Sequence, residues 1–235
     1  MIRSAFALLT FLLPLGVFAQ TGDPTAGTEA AAAPVQTPLA GEIQGNMYVA
    51  PTGAYSVEIP IYQQLGGTIT DTPYVVTFQD SFSTHISIAA FPQDATERWK
   101  LETNGPKEYL KDFFVHYVAR DFFRTNKHAK VQENARFVPG ILGGAFISYI
   151  LLPGGSMFFN SAFSIAANSQ IPTAKRGNMI FVKNGYVYVI STELAERATE
   201  GTAYHKTSDE EDAILRDRLI DVTRKMHFTP AQVTK

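Results

Sequence analysis

The sequence predicts an α+β protein built on a mostly antiparallel β-sheet packed between helices. Three observations predict it. Short runs rich in β-branched and aromatic residues recur on both sides of one aromatic stripe at helical spacing. An Asn184-Gly185 pair joins two of those runs. A second amphipathic segment with an acidic start lies near the C-terminus.

The elements follow in chain order. Tyr55 to Ile59 alternates apolar with polar, the period of a half-buried strand, and Pro60 ends it. Tyr74 to Phe78 reads as a second strand and His85 to Phe91 as a third, with the polar Gln79-Asp80-Ser81 as the turn between them. The period then changes. Tyr109, Leu110, Phe113, Phe114, Tyr117, Val118 and Phe122 form one face of a helix about five turns long. Pro106 fits its first turn, where the missing N–H costs little. Such large side chains suit a helix lying flat across a sheet.

Val131 to Phe137 is a weak strand and Gly143 to Leu152 a strong one. Met179 to Val182 and Tyr186 to Ile190 flank Lys183-Asn184-Gly185, and Asn-Gly readily takes the two positive φ values of a type I′ hairpin turn. In the last helix, Ser208 and Glu211 have capping-box spacing, with Ser208 as N-cap. Asp209, Glu210 and Asp212 favour the positive helix end, and Arg224 and Lys225 the negative one. Leu215, Leu219, Val222 and Met226 make the buried stripe.

This order resembles the Mog1/PsbP-like family, an α/β/α sandwich. The matching landmarks are Tyr55 to Ile59, the helix at Tyr109 to Phe122, Gly144-Ala145 opening a strand, the Met179 to Ile190 hairpin, and a final helix running into His227-Phe228. The resemblance spans about residues 48 to 228 and includes no catalytic motif. It implies a mostly noncatalytic setting: extrinsic photosystem subunits, a nuclear GTPase-binding factor and secreted bacterial proteins. It assigns no functional residue. The stretch Pro153 to Ala174 departs from it, being longer than a tight turn needs.

Residues 1–19 have the layout of a secretory signal peptide: Arg3, an apolar run from Ala5 to Leu13, and Ala19 before the expected cleavage. The run is too short to span about 30 Å of hydrocarbon. Residues 20–45 are rich in Ala, Thr and Pro and lack aromatics, the composition of a flexible linker. Residues 46–235 are expected to form a single domain. No membrane span is expected after cleavage, so the product is placed outside the cytoplasm, secreted or periplasmic.

Composition excludes several chemistries. There are no cysteines, hence no disulfide scaffold, thiolate zinc site or cysteine nucleophile. The net charge of −2 disfavours nucleic acid. Ser156 follows Gly154-Gly155, but the G-x-S-x-G pattern is not completed, and there is no Walker A or G-x-G-x-x-G. The five histidines form no H-E-x-x-H or H-x-H motif. His116 stands four residues after Asp112, within ion-pair reach on a helix. Asp80 and His85 flank one turn and could meet across it. Arg124, Lys127, His128 and Lys130 form a small basic group, which a helix C-terminus also attracts for its own reasons. No cofactor, metal site or catalytic residue is assigned.

The most informative feature is an absence of charge. From Phe137 to Ala174 there are 38 residues without one ionised side chain. The first part is a buried strand. The second, with Met157, Phe158, Phe159 and Phe163, is either an additional core strand pair or an apolar surface for a partner. These four are the candidate interaction residues. The leading expectation is a secreted or periplasmic noncatalytic binding or accessory domain with a protein partner in the envelope or outside the cell. A secreted hydrolase with an unrecognised site is the alternative, and an envelope structural protein a third.

Overall fold

The computed structural model describes residues 38–62, 64, 66–158, 172–200 and 203–230. Two antiparallel sheets and two helical layers account for them. The large sheet runs β4 (Thr68–Asp71), β5 (Val75–Gln79), β6 (His85–Pro92), β11 (Tyr186–Glu193), β10 (Ala174–Lys183), β9 (Ala145–Leu152) and β7 (Lys130–Val131). β8 (Arg136–Val138) also pairs with β9. The small sheet runs β1 (Glu42–Gln44), β2 (Met47–Val49), β3 (Tyr55–Glu58) and β12 (Met226–Phe228). All pairings are antiparallel. An α+β fold with a mostly antiparallel sheet between helices is therefore what the chain adopts.

Both faces of the large sheet are covered, so its central strands are apolar on both sides. Ile88, Ile147, Met179 and Ile190 pack into one core with the small sheet and the C-terminal helix. Their neighbours Ala89, Phe146, Ile180 and Val189 pack into a second core under the other helical layer. Strand geometry alternates side chains between the two. The predicted hairpin forms, with Asn184 at φ 49° and Gly185 at φ 79° between Lys183 and Tyr186.

The aromatic helix starts earlier than the sequence predicts. α1 spans Ala95–Phe113, capped by Asp94, whose carboxylate accepts from the Glu97 N–H at 2.8 Å. Its backbone leaves helical values at Gly105, and Pro106 opens the second segment. A π-helical turn, Phe114–Ala119, then leads into α2, Arg120–Thr125. A π-turn adds a residue to the helical repeat. The buried stripe accordingly steps from Phe113 and Phe114 to Val118 and then Phe122, and Tyr117 is only partly buried.

Further details differ from the sequence reading: Met226, read as part of the last helix's stripe, lies in β12, and β2 was not anticipated. The predicted strand Val131 to Phe137 is two short strands with a turn between them. β4 was not anticipated; its alternation is exposed on one face. β1 falls within the segment read as linker, and Asp71 accepts from the N–H groups of Ala40 and Gly41 at 2.9 and 2.7 Å. Backbone pairing and a carboxylate anchor thus hold residues whose composition shows no core. Finally, the N-cap of α4 (Ser208–Arg224) is Thr207, with Glu210 completing the capping box, one residue before the expected Ser208 and Glu211.

That one-residue shift has a packing cause. Glu211 and Asp212 turn inward to Lys175, whose ammonium is fully buried between them at 3.0 and 2.5 Å. The same nitrogen donates to the carbonyl and hydroxyl of Ser208, both at 3.1 Å, and lies 5.7 Å from the Tyr149 ring centre. Arg197 and Tyr204 donate to Glu211 at 2.9 and 2.8 Å. Further along α4, Gly177 of β10 permits close approach: a β-carbon there would sit 3.0 Å from Leu215 and 3.2 Å from Leu219.

Candidate functional site

α4 is fixed at its N-terminal end by Lys175 and along its middle by Leu215 and Leu219, which lie against Gly177. Its last turns run between β3 and the strands β5 and β6 and leave a cavity of about 220 Å³. The floor is apolar: Phe78 and Ile88 of the large sheet, Val57 of β3 and Val222 of α4. Charged groups of both signs, Glu58, Arg218, Asp221 and Lys225, reach the wall. The aromatic side chains of Tyr62 and Phe82, two residues from Pro60 and one from Ser83 of the lining, are exposed to solvent.

Three of the four wall charges are paired, Lys225 and Asp221 with each other and Arg218 with a carboxylate of a neighbouring helix. Lys225 Nζ contacts Asp221 at 3.0 Å; that hydrogen bond raises the lysine pKa against the opposing effect of burial. Arg218 pairs with Glu196 of α3 (Glu196–Thr199). Burial pushes the Glu196 carboxyl up, but the Arg218 hydrogen bond and charge bring it below the ordinary value. The groove therefore offers an apolar floor and a charged rim on which Arg218, Asp221 and Lys225 are paired. It has the means to bind a side chain and to orient what flanks it.

On the other face of the large sheet lies a buried polar strip. Arg176 Nε and Nη2 each lie 3.2 Å from Oε2 of Glu193, and both residues are buried. Ser156 Oγ donates to the other Glu193 oxygen at 2.8 Å, and the Met157 N–H at 3.0 Å. Asn178, Ser191 and His85 lie buried on the same face, with Ser191 Oγ 2.6 Å from Asn178 Oδ1. His85 is 1% exposed. Burial first, and the charge of Arg176 second, lower its pKa to about 3. Its imidazole is neutral at physiological pH and inaccessible as a base.

The sequence candidates are distributed as follows. Met157 and Phe158 are half-buried, and the Met157 backbone is tied to Glu193; Phe159 and Phe163 lie outside the described residues. Asp80 and His85 serve separate roles. The Asp80 carboxylate accepts from the N–H groups of Phe82, Ser83 and Thr84 at 2.7–2.9 Å, closing its own loop. Despite partial burial, those bonds leave its pKa lowered. His116 does not pair with the Asp112 carboxylate; its Nδ1 lies 3.0 Å from the Asp112 carbonyl oxygen. Among the described residues no three His, Asp or Glu side chains are gathered as metal ligands. No described helix is long and apolar enough to cross a membrane.

Architecture and groove together define an α+β sandwich with a cleft beside its last described helix. No family model matches the chain, and no curated protein does. Its fold is similar to solved structures of the Mog1/PsbP kind. Cyanobacterial PsbP from Synechocystis is 13% identical, with a TM-score of 0.44, covering 86% of this chain and all of that one. The Saccharomyces cerevisiae Ran-binding protein Mog1p is 11% identical, with a TM-score of 0.42, covering 76% of this chain and 92% of that one. A variant of Mog1 gives 12% identity and the same TM-score.

Proposed function

We propose that this chain is an exported, noncatalytic protein-binding domain whose partner seats a bulky apolar side chain in the groove beside α4. The observation that carries the reading is the groove itself. Its volume, about 220 Å³, is below the ~300–1,000 Å³ of pockets that enclose whole small molecules. It suits one or two side chains of a polypeptide. Exposed aromatics at its border and an apolar, charge-rimmed floor are the composition of a contact surface. Paired charges of both signs on the rim would set the register of the partner rather than supply its affinity.

A photocrosslinking amino acid at the exposed Ser83 tests this in the cells that make the protein. A discrete adduct with one partner is expected, and Phe82→Ser or Tyr62→Ser should weaken it. No adduct, or a smear that ignores both substitutions, would count against the groove. Export is tested separately. Mass measurement of the protein outside the cytoplasm should find Gln20 as the first residue, intact or cyclised. A mature form that keeps Met1 would reject cleavage after Ala19.

A further inference from the structure

The outer side of the α1–α2 layer has a composition that neither the core nor the groove uses. On α1, Glu97 is buried and Leu101 packs on the inner core. Trp99 stands between them on the opposite face and is 63% exposed. Past the kink, Leu110, Phe114, Val118 and Phe122 turn inward. Val115 and Phe123 do not, and are 51% and 44% exposed. A globular helix normally keeps its solvent face polar. Here Trp99 before the kink, and Val115 and Phe123 past it, are large apolar side chains exposed to solvent.

Cations accompany them. From Val115 to His128 the chain carries Arg120, Arg124 and Lys127 against one carboxylate, Asp121, in a protein whose net charge is −2. All three cations are exposed. Arg124 contacts Asp121 at 2.5 Å. Among the described residues, no carboxylate lies within ion-pair reach of Arg120 or Lys127. Positive charge is thus concentrated on the stretch that presents Val115 and Phe123, while the stretch from Ala95 to Phe113, which presents Trp99, carries four charges of each sign.

We infer that this face docks on an anionic phospholipid surface. Trp99, Val115 and Phe123 enter the boundary between headgroups and acyl chains, and Arg120, Arg124 and Lys127 meet the phosphates. Tryptophan is at home at that depth, and basic residues beside an apolar helix face are the composition of interfacial binding. The spacing favours lipid over an acidic protein. Energetic contacts in a protein interface cluster near its centre. These three side chains are dispersed along the layer, which a fluid surface accommodates at any spacing.

Trp99 is the only tryptophan in the chain, so its fluorescence reports insertion directly. The protein is mixed with vesicles of equal parts phosphatidylglycerol and phosphatidylcholine, and with vesicles of phosphatidylcholine alone. Sedimentation with the anionic vesicles and a blue shift of Trp99 emission are expected. Each cation contributes about fivefold to such binding, so the combined change Arg120→Ser, Arg124→Ser and Lys127→Ser should weaken it about a hundredfold. Val115→Ser with Phe123→Ser should reduce it at unchanged charge. Circular dichroism melts check that both variants stay folded, since every altered side chain is on the surface. Failure to sediment, sedimentation without a Trp99 shift, or equal binding to phosphatidylcholine alone overturns the inference. Retention on immobilised polyglutamate without vesicle binding would also overturn it, and would indicate an acidic protein instead.

Discussion

Lys175→Met is expected to destabilise the protein by about 3–5 kcal/mol, the cost of breaking a buried ion pair from one side. The ammonium is fully buried and faces Glu211 at 3.0 Å and Asp212 at 2.5 Å. Methionine fills much of the same volume, so the loss is chiefly electrostatic. Two carboxylates would be left close together without the cation between them. Arg197 still reaches Glu211 at 2.9 Å, so Asp212 is the more exposed to the loss. Asn134 donates to the Asp212 carboxylate, and the Asp212 backbone carbonyl accepts from Tyr149 Oη at 2.9 Å. Urea unfolding at neutral pH measures the change. Adding Asp212→Asn to Lys175→Met removes one stranded charge and should recover part of the stability. A single variant within about 1 kcal/mol of the parent, or a double variant no better than the single, would show that the pair does not anchor α4.

This anchor also marks where sequence reasoning stops. Leu215, Leu219 and Val222 were legible as the buried stripe of α4 because helical periodicity is a local property. The hairpin at Asn184-Gly185 was legible for the same reason: its turn chemistry is contained in two adjacent residues. The capping box was misplaced by one because Thr207 and Ser208 are equally able caps. The choice between them rests on Lys175, 33 residues before Ser208, which draws Glu211 inward. The first half of α1 was missed because its buried face includes Glu97 rather than an apolar stripe. The π-turn is likewise visible only through which aromatic residues are buried.

The groove was less legible than the fold. Its residues come from three separated stretches, 57–60, 78–88 and 218–225, with Thr192 of β11. None is unusual alone: Phe78, Ile88 and Val222 read as ordinary core. What makes them a site is the gap left where α4 ends against β3, a property of tertiary packing. The charge-free stretch, by contrast, was conspicuous in sequence. Ser156, within it, bonds one partner of a buried Arg176–Glu193 pair, which a search for charge within the stretch could not reveal.

The remaining large effect is acid instability centred on His85. In the folded protein burial, reinforced by Arg176, holds its pKa at about 3; in the unfolded chain the ordinary value is near 6.5. The folded state therefore resists protonation and the unfolded state accepts it. Above about pH 6.5 neither form carries the proton and the stabilising difference is fully present. As pH falls toward 3, the unfolded chain gains a proton that the folded chain lacks, and stability declines by ~1.4 kcal/mol per unit. By pH 4.5 the contribution amounts to ~2.5 kcal/mol lost. Carboxylates add to acid unfolding at lower pH, so the imidazole must be isolated by comparison. The groups facing it help in this. Arg176 keeps its charge throughout, Ser87, Ser191 and Asn178 on the same face do not titrate, and the Glu193 carboxylate paired with Arg176 is common to parent and variant. Denaturant midpoints of the parent and of His85→Gln, compared between pH 6.5 and 4.5, should diverge in slope by one proton. The parent should lose stability steeply and the variant, whatever its starting stability, should be nearly flat by comparison. Parallel slopes would mean that His85 is protonated in the folded state and that the polar strip is open to water.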